Sequence, residues 1–128
     1  RDFGVRVASR SKDSAAETVG DEGVNIVEVD LIADDANAEQ ALEAALDGVS
    51  AAVISVGTTA FPTMKWRGGN TPEAIDNKAV SRIAKVATRT QSVKRVLLIT
   101  SVGVERTNEM PFVFLNGFGV LDAKRAGE

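Results

Sequence analysis

The chain has 128 residues, a length that suits one domain. With 15 Lys and Arg against 18 Asp and Glu, its net charge of −3 argues against a generic nucleic-acid binder, which shows a basic excess. The absence of Cys, His and Tyr excludes disulfides, zinc thiolates, cysteine nucleophiles, a Ser-His-Asp triad, His-ligated metals and a phenolic proton donor.

In chain order, Val5–Ser9 (VRVAS) is predicted to form a strand, and Gly4 suits the end of a connection into it. Residues 11–19 are polar and read as a short helix, with Gly20 and Gly23 bracketing a turn. A second strand is predicted over residues 24–31 (VNIVEVDL). Asp34, Asp35 and Asn37 are N-cap candidates for a helix carrying Ala38, Leu42, Ala45 and Leu46 at helical spacing, with Gly48 beyond its end. Residues 51–56 (AAVISV) read as a third strand, apolar throughout, as expected when both faces are covered. After a loop over residues 57–70, Thr71-Pro72-Glu73 opens a helix whose apolar face is Ile75, Ala79, Ile83, Val86 and Ala87. Lys78, Arg82, Lys85 and Arg89 on the same helix read as a solvated face. Residues 95–100 (RVLLIT) are a fourth predicted strand, and a last helix begins near Gly119. Alternating strands and helices with short connections make the class α/β with a mainly parallel sheet. No apolar run approaches the roughly 18 residues of a membrane-spanning helix, so no membrane span is expected.

The first strand runs on as VASRSKD, the second ends VEVDL, and the third is AAVISVGTTA. AIDNKAVSRIAKVA, RVLLITSVGV and LDAKRAGE follow. In that order and spacing, over essentially its whole length, the chain resembles the atypical short-chain dehydrogenase/reductase group with NAD(P)(H)-binding Rossmann domains. Its nearest likeness is to plant, algal and cyanobacterial members of NmrA-like type. The resemblance implies a Rossmann-like three-layer αβα domain over residues 1–128, with the family's first strand, first helix and Gly-rich turn absent. In a sheet of order 3-2-1-4-5-6, the four strands here would be the second to fifth. A hole one strand wide, about 4.8 Å per pairing, would then separate one pair of strands from the other. Because the chain opens on Arg1 with no signal segment, the expectation is a processed or partial chain, with residues before Arg1 and beyond Glu128.

The resemblance also assigns roles. Arg10, with Ser11 and Lys12, follows the first strand, where a cation accepts the 2′-phosphate of NADP; by itself Arg10 reads as a solvated turn residue. Asp30 and Leu31 stand where family members contact adenine, although Asp is also an ordinary turn residue. Gly57, with Thr58 and Thr59, stands where a backbone approaches the cofactor; the other reading is a turn glycine. Lys124 matches the lysine of the family's Tyr-x-x-x-Lys pair and would hold the nicotinamide ribose, but Val120 occupies the tyrosine position. Ser101 matches the family's serine and is given no catalytic role, so no catalytic residue is assigned.

The expected function is a dinucleotide-binding protein, NADP before NAD, that lacks the Tyr proton donor; if active, it is an NADP-dependent oxidoreductase. The alternative is a non-enzymatic scaffold or assembly subunit of a larger, photosynthetic complex. Its protein contacts would run through the loops at 57–70, with Phe61, Met64 and Trp66, and at 110–121, where three of the five Phe residues lie. The same residues could instead wall a substrate cleft, or simply pack over the carboxyl edge of the sheet or against residues beyond Glu128. No metal or nucleic-acid partner is expected, and the resemblance points to a plastid, otherwise to the cytoplasm.

Overall fold

β1 (Val5–Ser9) covers the residues expected of it, and its last residue leads into a capped helix. Ser11 is the N-cap of α1 (Lys12–Val19): its hydroxyl accepts the Ser14 N–H at 3.3 Å, and Asp13 in the first turn complements the helix dipole. The helix stops at Gly20, whose φ of 73° suits glycine. β2 (Val24–Glu28) runs parallel to β1, in register from Val5 opposite Val24 to Ser9 opposite Glu28. This strand ends before the predicted residue 31, because the Asp30 carboxylate accepts the Ile32 N–H at 3.1 Å and turns the chain. These elements belong to a computed structural model that describes residues 3–20, 23–33, 35–58 and 69–128.

α2 (Asp35–Leu46) buries Ala38, Leu42, Ala45 and Leu46, the face its spacing predicted. Arg6 leaves β1 to donate to the Ala45 and Asp47 carbonyls at 2.8 and 2.9 Å, which satisfies the carboxyl end of that helix. β3 (Ala51–Ile54) pairs in parallel with β4 (Arg95–Leu98), Ala51 opposite Arg95 and Ile54 opposite Leu98. Between them the Thr71 hydroxyl accepts the Ala74 N–H at 3.2 Å and starts a long helix. Its first part, Glu73–Ala79, is π-helical and continues as α3 (Val80–Arg89). Ile75, Ala79, Ile83, Val86 and Ala87 are all buried, as predicted. Ile83, Val86 and Ala87, together with α2, cover one face of β3, where Ala52 and Ile54 complete the core. A 3₁₀ turn (Val104–Arg106) and the short α4 (Phe112–Leu115), neither of them expected, lead to α5 (Val120–Gly127).

The cationic face of the long helix is more than solvated. Arg82 donates to the Leu31 carbonyl and ties α3 to the end of β2. Arg89 and Lys85 pair with Glu39 at 2.7 and 3.2 Å, and Arg89 also pairs with Glu43 at 2.6 Å. The Arg89 hydrogen bond, then that of Lys85, holds the Glu39 carboxyl below the usual range; the Glu39 hydrogen bond raises Arg89. These pairs are exposed and link α2 to α3 at little net gain.

The four strands form two separate parallel pairs, β1–β2 and β3–β4, with no strand between them among the described residues. β1 and β3 instead face each other across a groove of about 990 Å³. This is the separation expected from the strand assignment. The expectation that both faces of β3 are covered is corrected. Val53, Leu97 and Ile99 are 61, 54 and 59% exposed, so the face away from α2 and α3 is bare and apolar. Apolar composition reports what a strand can bury; it does not report what is there to bury it.

Candidate functional site at the carboxyl ends of the strands

The chain leaves β1, β2 and β3 at one edge of the parallel sheets, and the expected site residues follow those strands directly. Arg10 is exposed at the end of β1 and donates to the Asn70 side-chain oxygen at 2.5 Å, across to the segment that starts the long helix. Ser11 is engaged as the N-cap of α1, and Lys12 is that helix's first residue, exposed. Asp30 is engaged in its own turn; Leu31 packs against the core. Arg10, Leu31, Gly57 and Thr58 line the groove with Asn70, whereas Ser11, Lys12, Asp30 and Lys124 are not part of its lining. Thr59 lies outside the described residues, as do Phe61, Met64 and Trp66.

Gly57 and Thr58 meet Lys124 at a group that the sequence reading missed. Asp76, in the π-helical turn, is 1% exposed. Its Oδ1 lies 2.6 Å from the Lys124 Nζ, an ion pair that joins the long helix to α5. Its Oδ2 accepts the Thr58 N–H at 3.2 Å and also the Thr58 hydroxyl. A Cβ on Gly57 would stand 3.3 Å from the Lys124 Nζ and 3.4 Å from Asp76 Oδ1. The glycine thus leaves room for the ion pair, a reason for it that neither the turn nor the cofactor reading contained. α5 is held close one turn further along the same face, where a Cβ on Gly127 would run into the Asp76 carbonyl. A signal for Asp76 exists in the sequence. Spacing 76-80-83-87 puts it on the same apolar stripe as Val80, Ile83 and Ala87, and a carboxylate on such a stripe needs a partner. The π-helical turn, a frequent companion of functional sites, carries it.

Ser101 follows β4 and is half-buried; Val120 opens α5 with no phenol to offer. In the Phe-bearing segment, Arg106 stacks over Phe112 at 4.7 Å, so packing holds there. Packing does not hold for Phe114, 72% exposed, or for the exposed Met110. Among the described residues no His, Cys, Asp and Glu grouping could hold a metal ion, and no helix is long and apolar enough to cross a membrane.

The strand edge thus presents an exposed guanidinium, a close-approach glycine turn and a neutralised lysine, with no imidazole or phenol in the chain. The exposed guanidinium can take an anionic ligand. No curated protein matches the chain. A family model described as NAD(P)H-binding matches residues 1–128, the full length of the sequence given. The protein therefore belongs to the NAD(P)H-binding family, and a nicotinamide dinucleotide is its cofactor class.

Proposed function

We propose that this chain is an NADP(H)-binding domain of the atypical short-chain dehydrogenase/reductase type that has lost tyrosine-dependent proton donation. The observation that carries the reading is Arg10, presented at the carboxyl end of β1 above a groove between two parallel strand pairs. The residues fit a dinucleotide. Arg10 supplies a planar cation for the 2′-phosphate, with Ser11 and Lys12 beside it. Gly57 puts backbone without a Cβ at the groove beside Thr58, where the middle of the ligand would lie close. Lys124, beyond that turn, would hold the nicotinamide ribose. At the adenine end Leu31 would contact the base from the groove lining, beside the Asp30 turn. When bound, the nicotinamide gives or takes a hydride. The chain's own contribution is to bind and orient, since Val120 stands where the phenol would be.

Titrating the protein with NADPH and with NADH, read by the nicotinamide fluorescence, tests the reading. NADPH should bind about tenfold or more tightly, as a charge-assisted phosphate contact implies. Equal affinities would remove the NADP assignment, and binding of neither would remove the cofactor reading.

A second reading is a non-enzymatic assembly subunit, in a plastid as the resemblance suggests. The exposure of Met110, Val113 and Phe114 on one short segment favours it, because contiguous exposed apolar side chains mark contact surfaces. The titration tests the first reading alone, since a scaffold would use that segment whether or not the chain binds nucleotide.

A further inference from the structure

We propose that Asp76 is the positioning residue of the nicotinamide half of the site, acting through Lys124 and the Gly57–Thr58 turn. The inference rests on the dinucleotide reading above and deepens it. Asp76 is one of two polar or charged side chains buried among the described residues, the other being Thr107. Burying a carboxylate costs several kcal/mol unless it is paired and hydrogen-bonded, and here every partner comes from the site. One oxygen holds the Lys124 ammonium at 2.6 Å; the other takes the amide and hydroxyl of Thr58. Three segments distant in sequence, the turn after β3, the π-helical turn and α5, therefore converge on one carboxylate. Gly57 has no Cβ where one would press on both members of the ion pair.

The arrangement has a directional consequence. Lys124 carries four methylenes of free rotation, and a solvated lysine would sample many rotamers. Asp76 fixes that ammonium beneath the turn, and the same carboxylate fixes the turn. The distance between the lysine and the backbone of residues 57–58 is thereby set before any ligand arrives. Arg10, by contrast, is anchored through Asn70 and makes no contact with this cluster. The two halves of the dinucleotide would be held by independent groups: the adenosine 2′-phosphate by Arg10, the nicotinamide ribose by the Asp76-positioned lysine.

That independence supplies the test. The unaltered protein, Asp76→Asn and Asp76→Asn/Lys124→Met are titrated by calorimetry with NADPH and with 2′,5′-ADP, which carries only the adenosine half. Asp76→Asn is expected to weaken NADPH about tenfold, the scale of a lost charge-assisted contact. It should leave 2′,5′-ADP within about twofold, as expected of uncoupled sites. Adding Lys124→Met should cost NADPH no more than about a further twofold, because a lysine already released contributes little. Unchanged NADPH affinity in Asp76→Asn, parallel loss of both ligands, or a second full tenfold loss on removing Lys124 would each overturn the role. If Asp76→Asn does not fold, the double variant, free of both charges, carries the same split between ligands. Failure of the unaltered protein to bind either ligand would overturn the dinucleotide reading itself, and with it the role of Asp76.

Discussion

Replacing Arg10 with alanine is expected to raise the Kd for NADPH by roughly 10- to 100-fold, the ~1.5–3 kcal/mol of a hydrogen-bonded charged contact. NADH affinity should stay within about twofold, because NADH offers no 2′-phosphate for the residue to meet. The side chain is exposed at the end of β1, so solvent screens the contact and the lower end of that range is the better expectation. Arg10→Lys should fall between, since an ammonium keeps the charge and loses the planar fork. Asn70, which accepts from Arg10 at 2.5 Å, holds the guanidinium on the groove side. Asn70→Ala should therefore weaken NADPH in the same direction by less. Paired fluorescence titrations at one fixed ionic strength decide the matter, and equal weakening of both nucleotides by Arg10→Ala would remove the 2′-phosphate assignment.

Replacing Lys124 with methionine is expected to lower the unfolding free energy by about 3 kcal/mol, on the scale measured for breaking one side of a buried ion pair. The reason lies in what remains. Asp76 would keep its burial and its two contacts from Thr58 and lose its only counter-charge among the described residues. The lysine side chain is 17% exposed, so the loss belongs at the lower end of the known range. Asp76→Asn/Lys124→Met should recover most of it, because removing both charges also removes the desolvation that the pair had offset. Urea unfolding of the three proteins tests this. A Lys124→Met variant as stable as the unaltered chain would mean that water reaches Asp76 freely.

Much of the architecture was legible because it rests on short-range rules. The strand at Val5–Ser9, the buried stripe from Ile75 to Ala87 and the Thr71 cap follow from β-branched runs, helical spacing and cap chemistry. The split into two strand pairs came from the order of elements and not from any one of them. What stayed hidden depended on neighbours. The bare side of β3, with Val53 exposed, is invisible in a run that reads AAVISV, since composition is silent about which layers are present. The end of β2 was set too late because the Asp30 turn overrode the β propensity of Val29. Asp76 was passed over because a carboxylate in a helix is ordinarily solvated. Only its place on the apolar stripe marked it, and its partners come from residues 58 and 124. The 3₁₀ turn and α4 were missed because three or four residues carry no periodicity.

The separation of the two strand pairs bears on how the molecule comes apart. The main core is built from α2, α3, β3 and Val29, with Val27 of β2 packed against it; β1 contributes nothing to it, and α1 buries only Ala15. Residues 5–28 are held to the rest by Val27 packed against that core, by Arg6 at the end of α2 and by the Arg10–Asn70 contact. Such a unit opens by itself at a fraction of the global unfolding cost, so its amides should exchange with deuterium ahead of those of α3. A ligand grasped by Arg10 on one side and by Gly57 and Thr58 on the other would splice the two units into one cooperative body. Its affinity would then carry the cost of that ordering, and its presence would be read most clearly as slowed exchange in β1 and β2.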